Sequence, residues 1–139
     1  MLKVYPYLRF NDAKCREAMS FYKDAFGGGE IELMTVGKSP MAKEMPADKQ
    51  DLIMHGSLKK GDLVIHGSDM MRDKAVIGDN VVVHIECGSE KELKDIFAKL
   101  SKGGEVFMAP EKVPWGAIFA MMTDKYGIEW MLDYNMKPA

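Results

Sequence analysis

The sequence has little of what would take it outside the ordinary soluble class. It holds two cysteines, Cys15 and Cys87, in 139 residues, too few for a disulfide framework. Each falls inside a strongly patterned segment, so both read as small buried apolar residues. No charge dominates: 19 Lys+Arg against 21 Asp+Glu give a net charge of −2. There is therefore no basic stripe to meet the phosphates of nucleic acid or an anionic lipid surface. No apolar run approaches membrane-spanning length. The first residues enter patterned sequence without a basic segment and an apolar segment of the signal-peptide kind. A reduced, cytoplasmic protein with neither nucleic acid nor membrane as partner is the expectation. The glycine run Gly27-Gly28-Gly29 follows a helical pattern instead of opening one, so it does not cradle phosphate in the P-loop manner.

The length fits a single domain spanning residues 1–139, long enough to bury one core without staples. The chain is rich in methionine, with 13 residues. Thioethers are flexible and polarizable; most will be core filler, and some suit an adaptable small-molecule pocket.

Residues 4–10 are aromatic and β-branched and read as a strand, with Asn11-Asp12 as turn and N-cap residues. From 13 to 26 the apolar residues Cys15, Met19, Tyr22 and Phe26 recur at helical spacing, and the three glycines stop the helix. Strands are expected at 30–36, 52–58 and 62–68, with a long loop at 37–51 that is either a closure over a pocket or a mobile surface segment. After a polar linker at 69–79 the order restarts. A strand at 80–87 precedes Ser89-Glu90-Lys91-Glu92, a capping box. A helix follows with Leu93, Ile96, Phe97 and Leu100 on its apolar face, its charges forming a solvated face. Gly103-Gly104 end it; strands are expected at 105–108, 116–123 and 128–134, with a Pro-bounded loop at 109–115.

Each half thus reads βαβββ, with module one at 1–68 and module two at 80–139, a repeat of roughly sixty to seventy-five residues. Four twisted strands with one helix leave an edge and a sheet face unsatisfied. The fold expected is α+β: two modules forming paired curved sheets around a cup, with the helices outside.

Strand alternation assigns side chains to faces. The helix-facing sets are Val4, Pro6, Leu8 and Phe10; Leu52, Met54 and Leu58; Leu63 and Ile65; Val81, Val83, Ile85 and Cys87; and Ile128, Trp130, Leu132 and Tyr134. The opposite sets are Tyr5, Tyr7 and Arg9; Ile53, His55 and Ser57; Val64, His66 and Ser68; Val82, His84 and Glu86; and Glu129, Met131 and Asp133. All three histidines fall in the second group. Imidazole and carboxylate are the ligands that borderline divalent metals take, so His66, His84 and Glu129 form a candidate two-histidine, one-carboxylate set. The alternative is three polar residues lining a solvated groove. His55 is a candidate proton shuttle or simply a hydrogen-bonded histidine. Glu86 serves as a general base only if burial raises its pKa. Trp115, Phe119, Tyr5, Tyr7 and Met121 are candidate walls for a planar or apolar ligand, with ordinary sheet packing as the alternative.

Several segments carry a family likeness: Pro6-Tyr7-Leu8-Arg9-Phe10-Asn11, the run from Ala18 to Gly28, Met54-His55-Gly56-Ser57-Leu58, and above all Trp115-Gly116-Ala117 with Thr123-Asp124-Lys125-Tyr126-Gly127-Ile128-Glu129-Trp130. By these the chain resembles the vicinal oxygen chelate superfamily (glyoxalase, bleomycin-resistance and extradiol dioxygenase folds), in its PhnB-like, demethylubiquinone methyltransferase-like branch. The resemblance implies a glyoxalase/bleomycin-resistance-like fold and a homodimer. It also implies a divalent metal (Zn, Ni, Mn, Co or Fe) at Tyr5, His66, His84 and Glu129. Two functions follow. One is a metal-dependent lyase, isomerase or dioxygenase that chelates adjacent substrate oxygens, with Glu86 or His55 moving protons and Tyr7, Arg9, Trp115, Phe119 and Met121 lining the pocket. The other is a metal-free dimer of the antibiotic-sequestering type, binding a small-molecule ligand without turnover. Methyl transfer has no Gly-rich nucleotide-binding loop to support it.

Overall fold

In the computed structural model, which describes residues 1–136, the chain divides into two compact units, Met1–Val76 and Ile77–Ala139. Each is described by itself. No helix is long and apolar enough to cross a membrane among the described residues.

The first unit runs β1 (Tyr7–Phe10), α1 (Cys15–Ala25), β2 (Glu30–Thr35), β3 (Ile53–Lys60) and β4 (Leu63–Asp69). The strand order is β1-β4-β3-β2, with β1 parallel to β4 and the other neighbours antiparallel. The second unit repeats the plan with β5 (Val83–Glu86), α2 (Glu90–Leu100), β6 (Glu105–Val113), β7 (Ala117–Thr123) and β8 (Glu129–Asn135). Its order is β5-β8-β7-β6, again with the first strand parallel to the last. Both halves are therefore the expected βαβββ unit, and the fold is α+β with eight strands in two curved open sheets.

Helix α1 buries Cys15, Ala18, Met19, Tyr22 and Ala25 against β2, β3 and β4, and α2 buries Leu93, Ile96 and Leu100. Helical spacing makes these faces, so one side of each sheet is covered and the other is left open. Gly27, Gly28 and Gly29 all have positive φ, of 84°, 126° and 118°, a backbone that stops α1 where the pattern placed its end. The charged face of α2 is solvated, with Lys91–Asp95 and Lys94–Glu90 pairs at 2.6 Å one turn apart.

Several elements differ from the sequence reading. The first strand begins at Tyr7, so Val4 is 91% exposed and not helix-facing. The fifth begins at Val83, which leaves Val81 77% exposed. Neither residue reaches the helix because neither lies in a paired strand. Strand β2 ends at Thr35, and three 3₁₀ turns, Val36–Lys38, Ala42–Glu44 and Ala47–Lys49, run from its end through the loop expected at 37–51. The Gln50 amide ties them by donating to the carbonyls of Ala42, Met45 and Pro46. Strand β6 continues through Pro110 to Val113 where a loop was expected. It is an edge strand whose register shifts between Val106 and Met108 and again between Met108 and Glu111. A proline without an N–H is tolerated there because no neighbour needs its donor.

A bulge changes the faces of β3. Its register against β2 shifts between Met34 and Thr35, where Met34 pairs with His55 and Thr35 with Ile53. The extra residue, Met54, reverses the alternation before it. Ile53 therefore joins the core at 1% exposure instead of the open face, and Met54 is half-exposed on the open side.

The start of α1 is the largest departure. Asn11 and Asp12 do not cap it; Asp12 and Ala13 adopt left-handed φ of 58° and 56°, and the N-cap residue Lys14 supplies no side-chain bond. Asp69, buried at the end of β4, accepts the Cys15 amide N–H at 2.9 Å and the Ile53 N–H at 2.8 Å. One carboxylate thus ties β4 to the first turn of α1 and the first residue of β3. The capping box of α2 forms, with Ser89 Oγ accepting from the Glu92 N–H at 3.0 Å. Its reciprocal bond reaches one residue further back, to the Gly88 N–H at 2.8 Å.

Candidate functional site

The open face of the first sheet is built from alternate residues of three neighbouring strands. In the register, Tyr7 of β1 sits beside His66 of β4, which sits beside Ser57 of β3, two residues beyond His55. The aromatic rings meet. The Tyr5 and His66 centroids are 5.2 Å apart and edge-on at 75°, although Tyr5 precedes the strand. Tyr7 stacks on His66 at 6.4 Å and 21°, and His55 and His66 lie 5.2 Å apart. Tyr7 Oη is 3.5 Å from His55 Nδ1, the outer limit of a hydrogen bond.

Within this cluster His66 is unusual. Its Nδ1 is buried and has no hydrogen-bond partner among the described residues. Burial, then the neighbouring His55, then Lys59 hold its pKa below the ordinary 6.5, so the imidazole is neutral at neutral pH. A neutral imidazole carries one donor and one acceptor nitrogen. An unmet buried nitrogen of either kind calls for a partner.

The open face of the second sheet carries His84 and Glu86 on β5, Ala117, Phe119 and Met121 on β7, and Glu129, Met131 and Asp133 on β8. Its polar centre is His84 with Asp133: Nε2 lies 3.4 Å from Oδ2, with the side chains 53% and 22% exposed. The other oxygen, Asp133 Oδ1, is buried with no partner among the described residues. Glu86 stands opposite Asp133 in the register and is exposed, and Glu129 is half-exposed opposite Thr123. Trp115, in the turn between β6 and β7, is 66% exposed and meets Phe119 edge-on at 6.2 Å. Met121 pairs with Met131 and Met108.

Tyr5, Tyr7, His55 and His66 thus come together in one cluster of the first unit. In the second, His84 finds Asp133, and Trp115 finds Phe119. The chelating set implied by the resemblance takes Tyr5 and His66 from the first unit and His84 and Glu129 from the second. Within neither unit do three His, Cys, Asp or Glu side chains form a group that could hold a metal ion among the described residues. What each unit does offer toward an ion is an unmet buried atom, His66 Nδ1 or Asp133 Oδ1. Asp133 stood on the open-face parity, but only the 3.4 Å approach of its carboxylate to His84 marks it.

A third feature went unseen in the sequence. A cavity of about 340 Å³ lies at the end of the first sheet, lined by Arg9, Met54, Ser68, Asp69 and residues 70–73. Five of its eight lining residues, Asp69 to Asp73, come from the segment read as a polar linker, where two methionines next to Arg72 were the available signal.

A family model described as 3-demethylubiquinone-9 3-methyltransferase matches residues 2–132. The chain belongs to this PhnB-like family. Protein PA1353 from Pseudomonas aeruginosa has a solved structure with 33% identity and a TM-score of 0.85, covering 99% of this chain and 100% of its own. Protein YjdN of Escherichia coli is 25% identical over 95% of each chain. The PhnB protein from Bacillus cereus shares 22% identity with a TM-score of 0.76, over 96% of this chain and 99% of its own. The fold is also that of a glyoxalase/bleomycin resistance protein/dioxygenase from Nocardioides, at 14% identity and a TM-score of 0.59, over 100% and 87% of the two chains. The family description speaks of methyl transfer. Here α1 begins after a glycine-free turn, and its first amide is bonded to Asp69.

Proposed function

We propose that this PhnB-like protein binds a small organic molecule on the open face of its first sheet, with the flat body of the ligand against Tyr5, Tyr7, His55 and His66. One observation carries the reading: His66 Nδ1, buried and unmet, belongs to a ring that meets three others, Tyr5, Tyr7 and His55, in a cluster that leaves an apolar, hydrogen-bonding surface. Tyrosines supply rigid contact area at low entropic cost, and the neutral imidazole supplies the directional bond. A homodimer is part of the proposal; the exposed Val106 and Phe107 on the edge strand β6 support it, and sedimentation velocity tests it. The direct test is a thermal-shift panel of uncharged phenols and naphthols. A binder raises the midpoint of the wild-type protein, and the rise disappears in the His66→Ala and Tyr7→Ala variants. No shift with any compound, or a shift that survives both substitutions, refutes the reading.

A second reading keeps the metal that the resemblance implies and makes the protein a lyase, isomerase or dioxygenase. The same unmet Nδ1 favours it, since an imidazole nitrogen is also a divalent-ion ligand. When bound, the ion would polarise two adjacent oxygens of a substrate as a Lewis acid. Elemental analysis of protein purified without added metal decides it: a stoichiometric ion, lost in His66→Ala, supports chelation, and a level no higher in wild type than in the variant rejects it.

A further inference from the structure

Beside the ring cluster on the same open face lies the 340 Å³ cavity, within the size range of small-ligand pockets. The two are neighbours along the strands. Tyr7 pairs with His66, and two residues further along the same strands Arg9 pairs with Ser68, a step of about 6.6 Å. Both Arg9 and Ser68 line the cavity, so its mouth begins one side-chain row from the rings.

The chemistry of the lining is specific. Arg9 and Arg72 both line this small space. Neither is in an ion pair or hydrogen bond among the described residues. The nearby acids do not answer them. Asp69 has one oxygen on the Cys15 N–H and the other on the Ile53 N–H, and Asp73, which also lines the cavity, forms no ion pair with either arginine among the described residues. Met54, Met70 and Met71 complete the wall with adaptable apolar surface.

The wall is also fastened. The Met70 amide N–H bonds the Phe10 carbonyl at 3.0 Å. Lys49 Nζ donates to the Met71 carbonyl. Asn11 clamps Ala75 twice, its Nδ2 donating to the carbonyl at 3.2 Å and its Oδ1 accepting from the N–H at 2.8 Å. A segment bonded at both ends keeps Arg72 in the wall of the cavity that Arg9 also lines. The bulge at Met54 contributes as well, because only the reversed alternation turns that side chain to this face.

We infer that the ligand of this protein is an anion: a molecule with a flat, hydroxylated or otherwise hydrogen-bonding ring and a carboxylate carried about two methylenes beyond it, the ring lying on the His66 cluster and the carboxylate at Arg9 and Arg72. The inference rests on the proposed function and adds the charge and length of the ligand. Guanidinium forks recognise planar carboxylates by paired N–H donors, which a neutral amide does not match.

The test measures the affinity of the full chain for p-hydroxyphenylpropanoate and for its amide by calorimetry at low salt. The acid binds at least tenfold more tightly than the amide in the wild type. The double variant Arg9→Gln/Arg72→Gln binds the two alike, and Arg9→Lys/Arg72→Lys keeps part of the preference because charge without the fork remains. Both arginines are exposed, so the variants fold, and unchanged far-ultraviolet dichroism verifies this. Equal affinity of acid and amide in the wild type overturns the inference while leaving the ring-binding reading intact. A preference unchanged in the glutamine double variant also overturns it. Binding of neither compound overturns both.

Discussion

Replacing Asp69 by alanine removes one side chain and breaks three elements apart at once. The carboxylate is 4% exposed and accepts from Cys15 at 2.9 Å and Ile53 at 2.8 Å. No local side chain caps α1, because the N-cap Lys14 offers none. In Asp69→Ala two buried N–H donors lose their only side-chain acceptor, and at about 1–3 kcal/mol for each unmet group the expected cost is about 2–6 kcal/mol. Loss of the negative charge at the helix N-terminus adds to this in the same direction. A cost of that size is a large part of the ~5–15 kcal/mol that holds a typical domain together. Asp69→Asn keeps the volume and one acceptor oxygen but turns an NH₂ toward the second donor, so its loss lies between wild type and alanine. Urea denaturation monitored by tryptophan fluorescence and dichroism reads the effect as a lower midpoint at unchanged slope. If Asp69→Ala lowers stability by less than about 1 kcal/mol, the carboxylate is not the tie between α1, β3 and β4 described above.

Three further outcomes follow from the same geometry. Because the folded-state pKa of His66 is held below 6.5, the unfolded chain binds more protons at that site. Its contribution is present above pH 6.5 and is lost as pH falls through 6.5 toward the lowered value. The melting temperature of wild type therefore drops more between neutral and mildly acidic pH than that of His66→Gln; equal slopes would remove the case for a neutral imidazole. At Gly104 an added Cβ would collide with the carbonyl oxygen of Thr123 and the backbone of Asp124, atoms that cannot swing aside. Gly104→Ala destabilises by at least the ~1–3 kcal/mol of an overpacked core, measurable by the same denaturation, and a neutral result would show that the turn after α2 shifts freely. Burial, with Asp69 nearby, pushes the Cys15 thiol up to about 12, and burial, with Glu92 nearby, pushes Cys87 up to about 11. Neither is a thiolate at neutral pH, so a thiol reagent labels both only after denaturant is added; fast labelling of the native protein contradicts their burial.

Much of this protein is legible from local pattern. The helical faces of Cys15, Met19 and Tyr22 and of Leu93, Ile96 and Leu100, the glycine stop after α1 and the repeated βαβββ order all depend on neighbours within a turn or two. So does the alternation that puts Tyr7, Arg9, His55, His66, His84, Glu129 and Asp133 on the open faces. The family likeness, most distinctive in the tail from Trp115 to Trp130, implies the same fold that the repeated pattern suggests. What alternation does not reveal is where it fails. Pro110 read as a strand breaker, yet it lies inside β6 because that strand is an edge with a shifted register. Ile53 and Met54 exchanged faces because a bulge opposite Met34 and Thr35 inserts one residue.

The sequence by itself determined the kinds of element, their order and the face on which each polar side chain stands, because those follow from periodicities of two and 3.6 residues along the backbone. Only the tertiary structure decided that Asp69 caps a helix 54 positions away in the chain. It also decided that Asn11 fastens Ala75, that His84 meets Asp133, and that Arg9 and Arg72 share one cavity. Those partnerships join residues distant along the chain and depend on strand pairing and register, so no local periodicity encodes them.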